Sequence, residues 1–348
     1  MNIHTRSSMF IGAAVACLVA FQPAHAGVIF GSDGNLGGGF RWDAAARTIN
    51  GNERSLDGGL RYSMQGGSLL AYRDRFSWNV TPTLAAFSTA IDQAFGAWTS
   101  IDAVTNLGTA LSFVDDSANT AVVGTPGFGG ININGAEIDL FGVDAGDAGR
   151  RGVSSFNAQF GDVTLTSGTT NYGGAEGGGA ISGADVYMNA NANAVYSLDI
   201  FRRLLAHELG HALGLGDVED VFDLGFIDDN YSALDPLGTL TNSWALLVDP
   251  FNPAASTLTH FAAGVIANGD PGIKTPGVNI LMESEGLGIA AGNPVTNLVP
   301  LIADDYGTRQ FLYPMLVRVP EPSSLALLAF GLCGFLWSAR RKKGQPSV

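Results

Sequence analysis

The most constraining feature of this sequence is the run His-Glu-Leu-Gly-His-Ala-Leu-Gly-Leu-Gly-Asp at residues 207–217. His207 and His211 are four residues apart, so on an α-helix they lie on one face, roughly 6 Å apart along the axis. Two imidazoles in this arrangement can bind one zinc ion. Glu208 can reach a water molecule on such a metal and act as general base. The run therefore predicts a metal-binding helix.

The residues around this run indicate how the helix begins and ends. Apolar residues recur at helical spacing along one face, and either Ser197 or Asp199 can serve as the N-cap. Gly214 allows the helix to stop and the chain to turn. That turn would bring Asp217 to the metal as a third ligand. His260 is the alternative third ligand, although its sequence neighbours show no ligand spacing.

The pattern HExxHxxGxxD resembles the motif of the metzincin superfamily of zinc metallopeptidases, and most closely its matrixin branch. The usual third ligand of metzincins is histidine, and the aspartate at position 217 is similar to that of snapalysin-like enzymes. The resemblance implies a Met-turn downstream, and segment 279–284, with Met282, is similar to one. In the family this methionine lies beneath the metal as a hydrophobic floor. The alternative is that Met282 is an ordinary core residue.

The order of the predicted elements extends the resemblance over residues 60–315. The apolar patterns predict strands at 60–63, 109–113, 136–142 and 184–188, a long amphipathic helix at 83–101 and a short helix at 303–313. The implied fold class is α+β: a metzincin-like catalytic domain with a twisted mixed sheet, a long amphipathic helix, the zinc-site helix, the Met-turn and a C-terminal helix. The Gly-rich N-terminal segment 27–59 is expected to be an extended leader. Residues 218–278 form an insertion relative to a minimal matrixin.

Both ends of the chain have the features of processing signals. Residues 1–26 contain a short basic region, an apolar run and an Ala-x-Ala site, as a secretory signal peptide does. Residues 319–345 contain Pro-Glu-Pro, an apolar run and a basic tail, and they resemble the PEP-CTERM sorting signal of Gram-negative bacteria. The resemblance implies an exosortase-type processing enzyme as partner, and a final location at the cell surface, in the extracellular matrix or in the medium. The short apolar run predicts transient transmembrane anchoring, and a plain C-terminal anchor is the alternative.

Composition narrows the classes of ligand and partner. The chain has 32 acidic and 18 basic residues and a net charge of −14, which disfavours binding to nucleic acid. Its two cysteines, Cys17 and Cys333, lie in the terminal signals, so the segment between them has no disulfide and no thiolate ligand. Asp144 and Asp147, among glycines, are candidates for a structural calcium loop such as matrixins carry.

The expected function is that of an exported zinc-dependent endopeptidase acting on a protein or peptide substrate. Zinc held by His207, His211 and Asp217 would activate a water molecule, and Glu208 would take its proton. The alternative is a non-catalytic surface or extracellular matrix protein that keeps the metallopeptidase fold, which the sorting signal favours. A gluzincin-like peptidase is a third possibility, but Gly214 argues against it because those enzymes continue the helix.

Overall fold

The structure is a computed structural model, and the residues it describes are mainly those between the two terminal signals. They are 25–30, 39–101, 108–122, 134–146, 152–160, 162–165, 178–216 and 226–228, with Leu281, Met282, Leu301, Asp305, Thr308, Arg309, Leu312 and Tyr313. Residues 1–24 of the predicted signal peptide, the predicted sorting signal at 319–345 and almost all of the 218–278 insertion lie outside these residues. None of the helices within them is both long and apolar enough to cross a membrane.

The described residues form three α-helices, each of which begins at a hydroxyl N-cap. They are α1 (Leu69–Arg73), α2 (Leu84–Thr99) and α3 (Leu198–Ala212). The caps are Ser68, Thr83 and Ser197, whose side-chain oxygens accept from the backbone N–H three residues later. The two long helices are therefore where the sequence predicts them, and Ser197 rather than Asp199 caps the metal-motif helix.

Twelve strands lie in the same residues, and six of them form the main sheet. They are β1 (His25–Val28), β2 (Gly39–Trp42), β3 (Thr48–Ile49), β4 (Asn52–Glu53), β5 (Leu60–Met64), β6 (Ser77–Trp78), β7 (Phe113–Asp115), β8 (Ile138–Val143), β9 (Gly152–Phe160), β10 (Gly178–Asn189), β11 (Val195–Tyr196) and β12 (Phe226–Asp228). The main sheet has the order β7-β5-β8-β10-β9. β2 pairs with the first residues of β10, on the same edge of that strand as β8.

The main sheet is mixed and mostly parallel. Every pairing in it is parallel except that of β9, which runs antiparallel to β10 over nearly its whole length. This is a mixed α/β arrangement, and it agrees with the expected mixed sheet packed against two long helices. The described residues at the C-terminal end, Asp305, Thr308, Arg309 and Leu312, are helical, as expected for 303–313.

Three regions differ from the predictions. The strand predicted at 109–113 is wrong, because β7 begins only at Phe113; the Thr109 hydroxyl instead donates to the carbonyl of Tyr313 at 3.0 Å. β9 was not predicted, although apolar and polar residues alternate from Phe156 to Phe160 in the second half of its sequence GVSSFNAQF. Within the expected leader at 27–59, β2 joins the main sheet and buries Trp42.

The helices cover one face of the main sheet, and that face is apolar. Because strand side chains alternate between faces, every second residue of β5, β8 and β10 points to α2 and α3. These residues and the apolar helix residues form one buried cluster, which includes Tyr62, Met64, Ile138, Leu140, Val186, Met188, Ile91, Phe95, Trp98, Phe201, Leu205 and Leu209. The Trp98 indole N–H donates to the carbonyl of Ala206 at 2.7 Å and joins α2 to α3.

Candidate metal centre

The two histidines of the motif lie side by side in the C-terminal half of α3. Their ring centroids are 4.7 Å apart, and the ring planes are nearly perpendicular at 87°. His207 is 3% exposed and His211 is 8% exposed. The two Nε2 atoms are 3.1 Å apart. Helical spacing therefore brings the two imidazoles to one buried point, as the sequence predicts.

Each imidazole is oriented by a backbone carbonyl on its other nitrogen. His207 Nδ1 is 2.7 Å from the oxygen of Leu281, and His211 Nδ1 is 2.8 Å from the oxygen of Leu215. Because a carbonyl oxygen can only accept, each Nδ1 carries the proton and donates. In a neutral ring the lone pair is then on Nε2. The two carbonyls thus turn both lone pairs towards one another.

This donor pair fits a zinc ion. Two lone pairs 3.1 Å apart repel each other unless a cation or a shared proton lies against both. Two nitrogens bound to one tetrahedral zinc, each at about 2.05 Å, are roughly 3.3 Å apart. Histidine ligands also typically donate their second N–H to a carbonyl or carboxylate, which fixes the tautomer. Both the spacing and the orientation are compatible with one bound metal ion.

The side chain of Glu208 extends from α3 to the edge strand β9. Its side chain is buried, at 3% exposure. The Ser154 hydroxyl on β9 is 2.9 Å from Glu208 Oε2 and 2.7 Å from the Glu208 backbone oxygen. Gly152 faces the same carboxylate, and a Cβ placed there would overlap Oε1. The carboxylate thus lies against the edge strand of the sheet.

Met282 packs directly on the helix that carries the two histidines. A Cβ on Gly210, the residue before His211, would overlap the Met282 sulfur and lie 2.7 Å from Cζ2 of Trp98. The preceding residue, Leu281, accepts from His207, and its own N–H donates to Asp305 Oδ2 at 3.1 Å. Leu281 therefore contacts His207, and Met282 packs against Gly210 on the same helix. Met282 is thus buried against α3, and the Met-turn stays a prediction.

Gly214 ends the helix as the sequence predicts. Its φ of 98° is a conformation that L side chains rarely adopt, and a Cβ there would overlap the carbonyl oxygen of Phe40. Its own carbonyl accepts from the N–H of Phe30 at 3.0 Å. The chain therefore turns sharply beside His211, whose ring is 5.7 Å from that of Phe30.

The predicted third ligands are not among the residues that the structure describes. Asp217 lies one residue beyond the described range that ends at 216, and His260 also lies outside. Within the described residues, no group of three His, Cys, Asp or Glu side chains has a metal-binding arrangement. The structure thus brings together His207, Glu208, His211 and Met282.

The calcium candidate is described only in part. Asp144 accepts from the Asn191 side-chain amide at 2.7 Å and from the backbone N–H of Gly146 at 2.9 Å, and these bonds lower its pKa. Asp147 lies outside the described residues. Asp144 therefore caps its own turn, and the calcium loop stays a prediction.

Three residues at the centre were not found by sequence reasoning. Ser154 and Gly152 belong to β9, a strand that the sequence pattern did not reveal. Gly210 lies inside the motif, where HExxH leaves the residue type free. A glycine in the middle of a helix usually costs stability. The glycine at position 210 was therefore the available sign of a close contact there.

Comparisons with known proteins bear on the C-terminal end of the chain. Residues 318–342 match the family model of the PEP-CTERM protein-sorting motif. The protein is therefore exported and sorted to the cell surface of a Gram-negative bacterium. The match confirms the sorting signal predicted at 319–345, and it is consistent with an exosortase-type enzyme as processing partner. No curated protein matches the chain.

Proposed function

We propose that this protein is an exported zinc endopeptidase of the metzincin type, similar to the matrixins. The observation that carries the proposal is the pair of buried Nε2 atoms 3.1 Å apart, each set in place by an Nδ1 bond to a carbonyl. A buried glutamate follows the first of these histidines, and a methionine packs beneath them. A pair of histidines that only fills a core requires neither the facing lone pairs nor the adjacent carboxylate.

The residues that would hold zinc are His207, His211 and Asp217, with His260 as the alternative to the aspartate. A bound zinc ion would supply a Lewis acid that activates a water molecule and polarises the scissile carbonyl. The imidazoles contribute two neutral nitrogens whose tautomers are already fixed. Met282 and Trp98 exclude water from the side of α3 on which Gly210 lies.

Glu208 has the role of general base and then general acid. Its carboxylate accepts a proton from the water molecule that adds to the carbonyl carbon. The carbon–nitrogen bond then breaks, and the same carboxyl group donates the proton to the leaving amine. Because the side chain is 3% exposed, bulk water competes little for its hydrogen bonds. The acid and the amine are the products, and the carboxylate is regenerated.

The test of this function combines proteolysis with metal analysis on one sample. The full chain is assayed against an unstructured protein such as casein, with zinc content measured before and after treatment with a chelator. Glu208→Gln is expected to retain zinc and to lose roughly 10²–10⁴-fold in rate. Asp74→Asn, an exposed carboxylate at the end of α1, is the matched control and should keep full activity.

Two outcomes of this assay would overturn the proposal. Wild-type protein that binds no zinc would show that the facing imidazoles share a proton and hold no metal. Zinc-loaded wild type that cleaves nothing would favour a non-catalytic surface or matrix protein with a metallopeptidase fold. Cleavage by wild type that is abolished by the chelator and by Glu208→Gln would establish the peptidase.

The identity of the third ligand has its own test. Asp217→Ala should lower zinc affinity by at least 10-fold, whereas His260→Ala should leave it within about 2-fold of wild type, since metal ligands are costly to lose. Competition with a zinc-binding dye measures both affinities. The reverse pattern would assign His260 as the ligand. If neither variant lost zinc affinity, neither residue would be the third ligand.

A further inference from the structure

The contact between β9 and Glu208 is more specific than ordinary packing. The hydroxyl of Ser154 is within hydrogen-bond distance of two oxygens of the same residue, the backbone carbonyl of Glu208 and Oε2 of its side chain. The single hydroxyl hydrogen is shared between these two acceptors, so the carboxylate is held close to its own backbone carbonyl and the torsions between them are restricted. The Glu208 side chain, which is long and rotamer-rich, is thereby held in one conformation.

The glycine two residues earlier on the strand completes the same arrangement. Gly152 and Ser154 lie on one face of β9 because strand side chains alternate. A Cβ at position 152 would overlap Glu208 Oε1 and lie 2.8 Å from the carboxyl carbon. One carboxylate oxygen thus occupies the space left by the glycine, and the other is bonded to the serine. Together the two residues form a slot for the carboxylate.

The position of this slot is set by the sheet and not by a loop. Ser154 pairs with Val186 of β10, and Gly152 pairs with Met188. Both β10 residues are fully buried in the core that also contains Leu205 and Leu209 of α3. β9 is therefore fixed relative to the helix by the same packing that places the histidines. Sites supported by regular elements hold their geometry better than sites on loops.

We propose that Ser154 is a positioning residue that orients the Glu208 carboxylate for proton transfer. This inference rests on the proposed peptidase function. A displacement of about 1 Å in a catalytic group can cost roughly 100-fold in rate. Loss of the Ser154 hydroxyl would free the Glu208 side chain to rotate in the slot, while both histidines keep their Nδ1 bonds.

The test compares Ser154→Ala with two matched variants. Ser154→Ala should lower kcat by 10- to 100-fold with KM and zinc content within about 2-fold of wild type. Ser154→Thr keeps the hydroxyl and suits a strand, so it should recover most of the rate. Ser155→Ala removes the neighbouring hydroxyl, which points to the other face of the sheet, and should change kcat by less than 2-fold.

A double mutant separates positioning from a general structural effect. In the Glu208→Gln background, Ser154→Ala should cause little further loss, because the group that it positions is already absent. Equal losses in both backgrounds would show that Ser154 acts elsewhere. A kcat of Ser154→Ala within 2-fold of wild type, or a parallel loss of zinc, would also overturn the inference.

A crystal structure of Ser154→Ala supplies a readout that does not depend on turnover. The Glu208 carboxylate is expected to be shifted by more than 1 Å or divided between rotamers, with His207 and His211 unmoved. An unchanged carboxylate would overturn the positioning role. If wild type is inactive, the proposed function fails; if wild type is active and Ser154→Ala matches it, only the present inference fails.

Discussion

The two faces of the main sheet are both buried, but different interactions stabilise them. The face towards α2 and α3 is apolar, and the rings of Tyr62 and Phe95 stack there at 4.1 Å. On the opposite face, Ser63, Asp139 and Asp185 lie side by side on neighbouring strands. The candidate metal centre is built on the helix side.

This opposite face of the sheet, the polar face, is stabilised by paired charges. Glu137 is fully buried and accepts from the Arg61 guanidinium at 2.8 and 2.9 Å. Arg54, also fully buried, donates to the carbonyls of Gly135 and Ala136. Such groups cost energy to bury unless their partners are complete. We therefore expect the two faces to respond differently to mutation. Three predictions test that difference, and another compares the two helices of the apolar face.

The largest expected loss of folding stability is on the face of the sheet that packs against α2 and α3. Trp98→Ala should destabilise the fold by roughly 3–5 kcal/mol, since it empties a large buried volume and removes the bond to the Ala206 carbonyl. Chemical denaturation measures the change. Ile101→Ala, at a 60% exposed position just after the same helix, should cost less than about 0.5 kcal/mol. Equal effects would contradict the assignment of Trp98 to the core.

On the polar face, Arg61→Ala should destabilise by about 2–3 kcal/mol. The reason is that Glu137 would keep its charge in a buried position without its main partner. Adding Glu137→Gln should recover only part of this loss, because it removes the charge that Arg61 compensated but also takes the carboxylate partner from buried Arg54, 3.9 Å away. Asp74→Ala breaks an exposed pair with Arg73 and serves as control, with a change near zero. A double mutant no more stable than Arg61→Ala would argue against a charge effect.

A matched pair of glycine substitutions compares the site helix with its neighbour. Gly210→Ala should destabilise by roughly 1–3 kcal/mol and weaken zinc binding, because the new methyl group displaces Met282 or Trp98. Gly96→Ala in α2 meets nothing within 4 Å, so it should stabilise by about 0.5–1 kcal/mol through helix propensity. Thermal unfolding and zinc titration measure both. A stabilising Gly210→Ala would show that Met282 does not pack on α3.

The smallest effect expected is a pH dependence from the polar face. Burial raises the pKa of Asp185 to about 7, although the hydroxyl of Tyr187, 2.7 Å away, opposes the shift. An exposed aspartate has a pKa near 3.9. The folded state therefore binds more protons than the unfolded state between about pH 4 and 7, and stability falls as pH rises through that window.

Asp185→Asn should remove this contribution. We expect its stability to decline less than that of wild type as pH rises from 4 to 7. Denaturation curves at several pH values measure the difference. Parallel curves for the two proteins would mean that Asp185 does not titrate in this range.

Much of the helix side could be predicted from sequence because its signals are local. The spacing of His207 and His211, the Thr83 cap of α2 and the positive φ of Gly214 depend on neighbouring residues. The polar face and β9 gave no such signal. Their side chains find partners on other strands, and the short alternation in GVSSFNAQF does not reveal which strand it pairs with.

The sequence by itself determined that two histidines and a glutamate share one turn-and-a-half of helix, that the helix stops at Gly214, and that a PEP-CTERM signal follows. Helical periodicity and backbone sterics are enough for the first two. The tertiary structure decided what orients these groups. Leu281 lies 74 residues after His207 and fixes its tautomer, and Ser154 lies 54 residues before Glu208 and holds its carboxylate. Hydrogen bonds between residues so distant in sequence depend on the packing of the sheet against α3, which no local pattern encodes.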